Sequence, residues 1–307
     1  MSIWTAVKWR AKTVAVIALV LWKHWRQKTP KSQRWENLTP DERVERLLWA
    51  AANSIEIIKK VLPGNYAKGM FDYVARNSDS AIRSHLERLA LLHRARNDKA
   101  AARAELRATH EFLDHIEDAI AKCNAIGLTD ENVIHVMNLT HGFLACFLAN
   151  DWQRAQRLAQ AARLPVMQEE GTEGESGGPY DEIAKMLVAT VLSDRDAFRH
   201  LQSRFARDRD RAYFIKAHFK YDRLMDLILA RDSGAFDAAL VVQQQSFLAR
   251  ATDQRAEQTW TLDACVDRNA LLFDVWAVAL ANLARHQGLT VRHSSEIIPI
   301  RDFEAAA

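Results

Sequence analysis

The chain has 307 residues, of which 49% are hydrophobic and 26% charged, a balance typical of globular proteins. Its 10 glycines and 6 prolines are few, which favours long helices and disfavours glycine-rich nucleotide-binding loops. The net charge of +3 hides an uneven distribution along the chain. Cys123, Cys146 and Cys265 lie far apart without a CxxC or zinc-type spacing, so we expect reduced core residues in a cytoplasmic protein.

The positive charge is concentrated at the N-terminus. Residues 1–35 contain eight lysines or arginines and no acidic residue, whereas the rest of the chain has 34 basic and 39 acidic residues. A nucleic-acid-binding surface would carry a basic stripe on the folded body, and no such pattern occurs outside this arm. We therefore expect no nucleic-acid partner and a basic, tryptophan-rich N-terminal arm.

The arm contains an apolar run of ten residues, 13–22 (TVAVIALVLW), between two lysines. A membrane span needs about 20 such residues, and no signal-peptidase pattern follows. Two alternatives stay open for this run. It forms a first helix packed on the body, or an interfacial helix that brings residues 1–28 to a membrane surface.

Helix signals begin directly after the arm. Thr39 and Glu42 form a capping-box pattern around Pro40. Apolar residues at three- and four-residue steps then predict a helix that ends at Pro63 and Gly64. The same periodicity predicts helices over residues 80–96 and 101–125.

A repeated pattern follows these helices. Asp151, Asp194 and Asp232 each come after an apolar helix and begin the pattern Asp-x3-[Ala/Phe]-x2-[Leu/Ala], with separations of 43 and 38 residues. An aspartate in this place is expected to accept hydrogen bonds from the first N–H groups of the next helix. The pattern predicts an all-α fold, an irregular α-solenoid of stacked antiparallel helical hairpins. Weaker markers of the repeat are Tyr180-Asp181, Tyr221-Asp222 and Asn97-Asp98.

One stretch between predicted helices is acidic and rich in glycine. Residues 167–179 (MQEEGTEGESGGP) hold four glycines and the glutamates Glu169, Glu170, Glu173 and Glu175. This composition predicts a loop rather than a helix. The loop is either a solvated linker or a negatively charged contact for a basic partner, and the four glutamates are the candidate partner-binding residues.

No catalytic, cofactor-binding or metal-binding residue is predicted. His110 and His115 share a helix with a glutamate, as in zinc proteases, but their five-residue spacing puts them on different faces. We therefore expect a protein that is not an enzyme and holds no cofactor. The carboxylate pairs Asp114/Asp118 and Asp222/Asp226 are expected at the solvated surface, and Trp152, Trp260 and Trp276 in the core.

The end of the chain predicts a buried helix and a capping segment. One helical face is formed by Phe273, Trp276, Ala277, Leu280 and Ala284. Gly288 is placed to adopt the left-handed conformation that ends this helix. The segment 296–300 (EIIPI), apolar after its first residue, is expected to cover the last hairpin as a terminal cap.

The markers Asp151, Asp194 and Asp232, the Tyr-Asp helix starts and the ending ALANLARHQGL followed by IIP resemble bacterial polymorphic-toxin immunity proteins of the immunity protein 49 family. The resemblance covers about residues 130–303. It implies a cytoplasmic protein that binds and occludes a cognate toxin delivered between cells. It assigns no interface residue, because such interfaces vary with the toxin.

Three regions and two functions are therefore expected. The regions are the arm 1–35, a helical region 36–128 and a hairpin-repeat region 129–307 with its cap, unless 36–307 is one continuous domain. The alternative to an immunity protein is a helical-repeat adaptor or scaffold that binds another protein. Peripheral association with the inner membrane through the N-terminal helix stays open in either case.

Overall fold

The computed structural model describes residues 38–126, 139–168, 178–207, 221–250 and 272–303. The chain divides into two compact units, Met1–Arg43 and Val44–Ala307. The first unit is described only from residue 38 to 43, so the basic arm and the membrane alternative for residues 1–28 lie outside the described residues. The predicted boundaries at residues 35 and 128 stay predictions.

The described residues are helical and contain no strand, which confirms the predicted all-α class. Their arrangement as an irregular solenoid of stacked hairpins stays a prediction. The helices are α1 (Pro40–Ala67), α2 (Phe71–Arg94), α3 (Lys99–Ile126), α4 (Thr140–Ala149), α5 (Trp152–Gln168), α6 (Gly178–Val191), α7 (Arg195–Arg207), α8 (Tyr221–Ala230), α9 (Ser233–Arg250) and α10 (Val275–His286), followed by a 3-10 helix (Ile300–Phe303).

Helix α1 begins as predicted and ends later than predicted. The capping box is present, because Thr39 N–H donates to Glu42 Oε2 at 2.8 Å and Glu42 N–H donates to Thr39 Oγ1 at 3.3 Å. The predicted end at Pro63 was wrong, since the helix continues through this proline. Contacts around the proline offset its missing N–H: Leu62 is buried, and the Tyr66 hydroxyl lies 3.0 Å from His115 Nδ1 of α3.

The first helices are joined by one arginine. Helices α2 and α3 pack on each other, and α2 begins well before the predicted residue 80. Arg88 of α2 pairs with Glu105 Oε1 of α3 at 2.7 Å. Its Nη1 also donates to the Leu48 carbonyl of α1 at 2.9 Å. This guanidinium therefore connects three helices.

Four pairs of consecutive helices are joined by turns of one kind. Each turn holds a non-glycine residue with positive φ, followed by an aspartate; the residues are Asn97, Asn150, Ser193 and Arg231, with φ of 51, 57, 56 and 58°. The aspartates Asp98, Asp151, Asp194 and Asp232 accept, through Oδ1, from the backbone N–H three residues later at 2.9, 3.1, 3.1 and 2.9 Å. The predicted capping role is confirmed, and Asn97-Asp98 is a fourth instance of it.

Helix α10 is central to the second unit. It packs against both α4 and α8, and every residue from Ala277 to Ala284 is buried. The predicted left-handed cap is confirmed, because Gly288 has φ 91°. The chain then folds back, and Leu289 N–H donates to the Ala284 carbonyl at 2.9 Å.

The C-terminal segment, residues 289–303, reaches further than the predicted cap over the last hairpin. Its first part lies on α9, where Arg292 N–H donates to Asp237 Oδ1 at 3.0 Å. Its last part lies on the first helices, because the Asp302 carboxylate is 3.0 Å from His93 Nε2 of α2 and 2.7 Å from Lys99 Nζ of α3. The segment therefore connects the last described helices to the first.

Candidate interaction surfaces

The acidic stretch singled out in the sequence lies between α5, which ends at Gln168, and α6, which begins at Gly178. Its glutamates, Glu169, Glu170, Glu173 and Glu175, lie outside the described residues. Their role as a partner contact stays a prediction.

The two histidines of α3 contact different helices. His110 Nδ1 lies 3.4 Å from Arg154 Nη1 of α5, whereas His115 Nδ1 lies 3.0 Å from the Tyr66 hydroxyl of α1. The structure thus does not bring these two rings together. Within the described ranges, no group of three His, Cys, Asp or Glu side chains is arranged to hold a metal ion.

The two carboxylates of the α3 pair, Asp114 and Asp118, form ion pairs with different basic residues. Asp114 Oδ1 lies 2.6 Å from Arg154 Nη2, and Asp118 Oδ2 lies 2.7 Å from Lys122 Nζ. The hydrogen bond from Lys122 lowers the pKa of Asp118 and outweighs the effect of burial. Asp118 is therefore held as an anion beside Lys122, while Asp114 pairs with an arginine of another helix.

The two carboxylates of the second pair, Asp222 and Asp226, differ in their surroundings. Asp226 pairs with Arg223 at 3.2 Å on the surface. Burial raises the pKa of Asp222, against the hydrogen bond from the Arg223 backbone. Asp222 is only partly exposed, because the start of α8 packs into the core through the buried Tyr221.

A cavity of about 210 Å³ lies among the ends of α4, α6 and α10 and the start of α5. Three stacked rings line it: the Trp152 ring is 5.8 Å from the Phe147 ring and 4.2 Å from the His286 ring. Burial lowers the pKa of His286, which favours the neutral imidazole at neutral pH. Trp152, predicted as core, is thus a partly buried wall residue, and the space beside it is sufficient for a few water molecules.

His93 holds the C-terminal segment in a largely apolar site. Its ring is 9% exposed, lies 5.3 Å from the Phe273 ring, and finds no partner for Nδ1 among the described residues. Burial lowers the pKa of His93 and outweighs the raising effect of Asp302. The neutral ring therefore donates through Nε2 to the Asp302 carboxylate.

We expect the free energy of unfolding to fall as the pH drops from about 6.5 towards 5. The folded-state pKa of His93 lies below its unfolded value, so the unfolded chain binds this proton first and protonation favours unfolding. His286 contributes with the same sign. Urea unfolding at a series of pH values measures the slope, and His93→Gln should reduce it.

Asp302 does not contribute to the pH dependence of unfolding between pH values of about 6.5 and 5. Burial raises its pKa, but Lys99 and His93 together outweigh burial and lower it, so its stabilising charge is lost only at more acidic pH. An identical slope in wild type and His93→Gln would contradict the assignment to His93.

One helix presents an uncharged surface to solvent. Gly234, Ala238, Val241, Val242, Gln245 and Leu248 share one side of α9 and are all exposed, and we call this set the α9 face. Val241, Val242 and Leu248 are 42%, 45% and 37% exposed, although each is a large apolar side chain. The opposite side of the helix packs into the core through Phe236 and Leu240.

Sequence reasoning missed two buried carboxylates, Asp274 and Asp79. Asp274 directly precedes the apolar run of α10, and the preference for aspartate at helix starts could have identified it. Asp79 lies inside α2 and caps α4, whose first turn is 62 residues away in the chain. No local pattern indicates such a contact.

Comparison with protein-family models, curated proteins and solved structures yields no match to this chain. None of the described helices is long and apolar enough to cross a bilayer.

Proposed function

We propose that this protein is an immunity protein that binds a cognate bacterial toxin and neutralises it by occlusion. It acts in the cytoplasm of the cell that produces the toxin, as a binding protein rather than an enzyme. The proposal has a second form, in which residues 1–28 also bind the surface of the inner membrane.

The observation that carries the proposal is the common geometry of Asp151, Asp194 and Asp232. Each follows a residue with positive φ and caps the next helix in the same way. The aspartates behind the resemblance to immunity proteins therefore share one turn and capping geometry. The proposal takes these turns to join stacked helix pairs, an architecture whose extended surfaces bind other proteins.

The acidic stretch defines the kind of toxin surface that the proposal favours. Its four glutamates lie within seven residues, and residues 167–179 contain no lysine or arginine. The uncompensated negative charge would attract a basic domain. Complementary charge at the exposed rim of an interface mainly accelerates association and makes it dependent on salt.

Co-expression with the product of the adjacent upstream gene tests the proposal. Rescue of growth together with co-purification of a stable complex is the expected result. Toxicity without rescue would contradict the proposal. Absence of both toxicity and complex would favour the adaptor alternative.

The acidic stretch is tested by the combined variant Glu169→Gln, Glu170→Gln, Glu173→Gln and Glu175→Gln. We expect association with the toxin to slow by about tenfold at low salt, with a smaller change at high salt. Stopped-flow or surface-binding kinetics give both rates. The control is Glu56→Gln with Asp196→Asn, two exposed carboxylates of α1 and α7, compared with the double variant Glu170→Gln and Glu173→Gln, which removes the same number of charges; the control should leave the rate unchanged. Equal rates for the two variants would exclude the stretch as a contact.

A further inference from the structure

The α9 face is exposed and carries no charge along its length. Between Ser233 and Ala249 the only charged residue of the helix is Asp237, which lies at the side of the face and accepts from Arg292 N–H and His293 N–H. Three side chains of the face are large, apolar and exposed. Apolar side chains that are exposed together, in contrast to scattered ones, mark an interaction surface.

The spacing of residues along the α9 face is that of two helices packed along their length. One stripe of the face runs at steps of four, three, four and three residues, through Gly234, Ala238, Val241, Gln245 and Leu248. This alternation has a mean period of 3.5 residues and keeps one stripe turned towards a partner helix over several turns. The spacing therefore favours a helix as the partner of this face.

The stripe is complementary to itself when two copies are related by a two-fold axis. Val241 lies seven residues after Gly234 and seven residues before Leu248. In an antiparallel pair centred on Val241, Leu248 of each copy lies opposite Gly234 of the other copy. Among the described residues, a Cβ at Gly234 would meet only Asp232 Oδ1, at 3.8 Å, so there is space for the larger side chain.

The lack of charge on the α9 face also fits a second copy. A two-fold axis brings the middle of the face next to itself, so a charge there would meet a like charge from the other copy. Val241 and Val242 occupy this position, and Gln245, the polar side chain of the face, is neutral. Association of two copies would therefore meet no like-charge repulsion along the stripe.

We propose that two copies of this chain associate through the α9 face as an antiparallel helix pair, with the two-fold axis at Val241. One pair of 18-residue helices buries less area than the about 1,600 Å² of a standard protein interface. The dimer is therefore weak, with a Kd in the micromolar range. This association does not depend on a toxin, so it is tested separately from the proposed function.

Sedimentation equilibrium of the full chain, at concentrations from about 1 to 200 µM, tests the proposal. We expect a reversible equilibrium between monomer and dimer. Val241→Asp places two like charges beside each other at the axis and should raise the Kd by at least about tenfold. The matched control is Ile126→Asp, the same kind of change at an apolar residue that is 58% exposed at the end of α3, and it should leave the Kd unchanged.

Disulfide cross-linking tests the position of the axis. The variant Val241→Cys is made together with Cys265→Ser and is oxidised with diamide. Disulfides form only where Cα atoms come within about 7 Å, so we expect a disulfide between two chains at the axis. Interference from Cys123 and Cys146 is small, because both thiols are buried and burial raises their pKa.

Two further cysteine variants, also with Cys265→Ser, distinguish an antiparallel pair from a parallel one. Leu248→Cys alone should not cross-link, because the two copies of this residue are separated by 14 residues of helix, about 21 Å. A mixture of Leu248→Cys with Gly234→Cys should form the mixed disulfide, because these positions lie opposite each other. Peptide mass spectrometry identifies the linked residues.

Three outcomes would overturn the proposal. The first is a monomer at every concentration. The second is a dimer that is equally stable in a Val241→Asp variant with an unchanged circular dichroism spectrum, since another surface would then hold it together. The third is a disulfide between two chains of Leu248→Cys, because this product requires a parallel pair.

Discussion

Replacing Asp274 with alanine is expected to lower the free energy of unfolding by about 3–5 kcal/mol. Asp274 is 1% exposed and precedes α10. Its Oδ1 accepts from the Tyr221 hydroxyl at 2.9 Å and from Ala277 N–H at 3.0 Å, and its Oδ2 accepts from Gln243 Nε2 at 2.8 Å. Alanine would leave three buried donors without this acceptor and remove the cap of the central helix.

Urea unfolding followed by circular dichroism measures this change. Asp274→Asn keeps the size of the side chain and one acceptor oxygen, so it should cost about half as much as alanine. Combining Asp274→Ala with Tyr221→Phe gives a double-mutant cycle, in which we expect a coupling energy of about 1–3 kcal/mol. Strictly additive effects would contradict a shared hydrogen bond.

Replacing Asp79 with alanine is expected to cost about 2–4 kcal/mol. Asp79 is 5% exposed in α2, and its Oδ1 accepts from His141 N–H at 2.8 Å and Gly142 N–H at 3.1 Å in the first turn of α4. Its Oδ2 lies 2.7 Å from His141 Nδ1. The aspartate therefore acts as a helix cap supplied by another helix, and its loss leaves buried N–H groups without an acceptor.

An exposed cap serves as the matched control for Asp79. Asp98→Ala removes the same type of hydrogen bond at the start of α3, where water can replace it, and should cost only about 1 kcal/mol. Both variants are compared by urea unfolding at neutral pH. Equal costs would show that burial of the Asp79 cap contributes little.

Local sequence signals predicted the helices and their turns well, because these features depend on neighbouring residues. Thr39 and Glu42 bond to each other, and Asp232 bonds to the N–H three residues later. The end of α1 was mispredicted because the helix continues past Pro63. There Tyr66 contacts α3, and this contact supports the last turn of the helix. Tertiary packing overrides a local breaker in such a case.

The candidate surfaces were less accessible to sequence reasoning. The glutamates Glu169–Glu175 were selected by composition, which identifies charge but not a geometry. The α9 face was not predicted, because its apolar residues occur on both sides of the helix and only packing shows which side is buried. Asp79 and His141 are 62 residues apart, and no periodicity links positions so distant.

The path of the C-terminal segment has a consequence for the order in which the protein folds. His93 and Asp302 are 209 residues apart in the chain, yet their side chains are in contact. During synthesis α2 leaves the ribosome long before Asp302 is made, so the surface around His93 stays uncovered for most of translation. Such long-range closure slows folding and should make the second unit unfold as a whole, rather than helix by helix from one end.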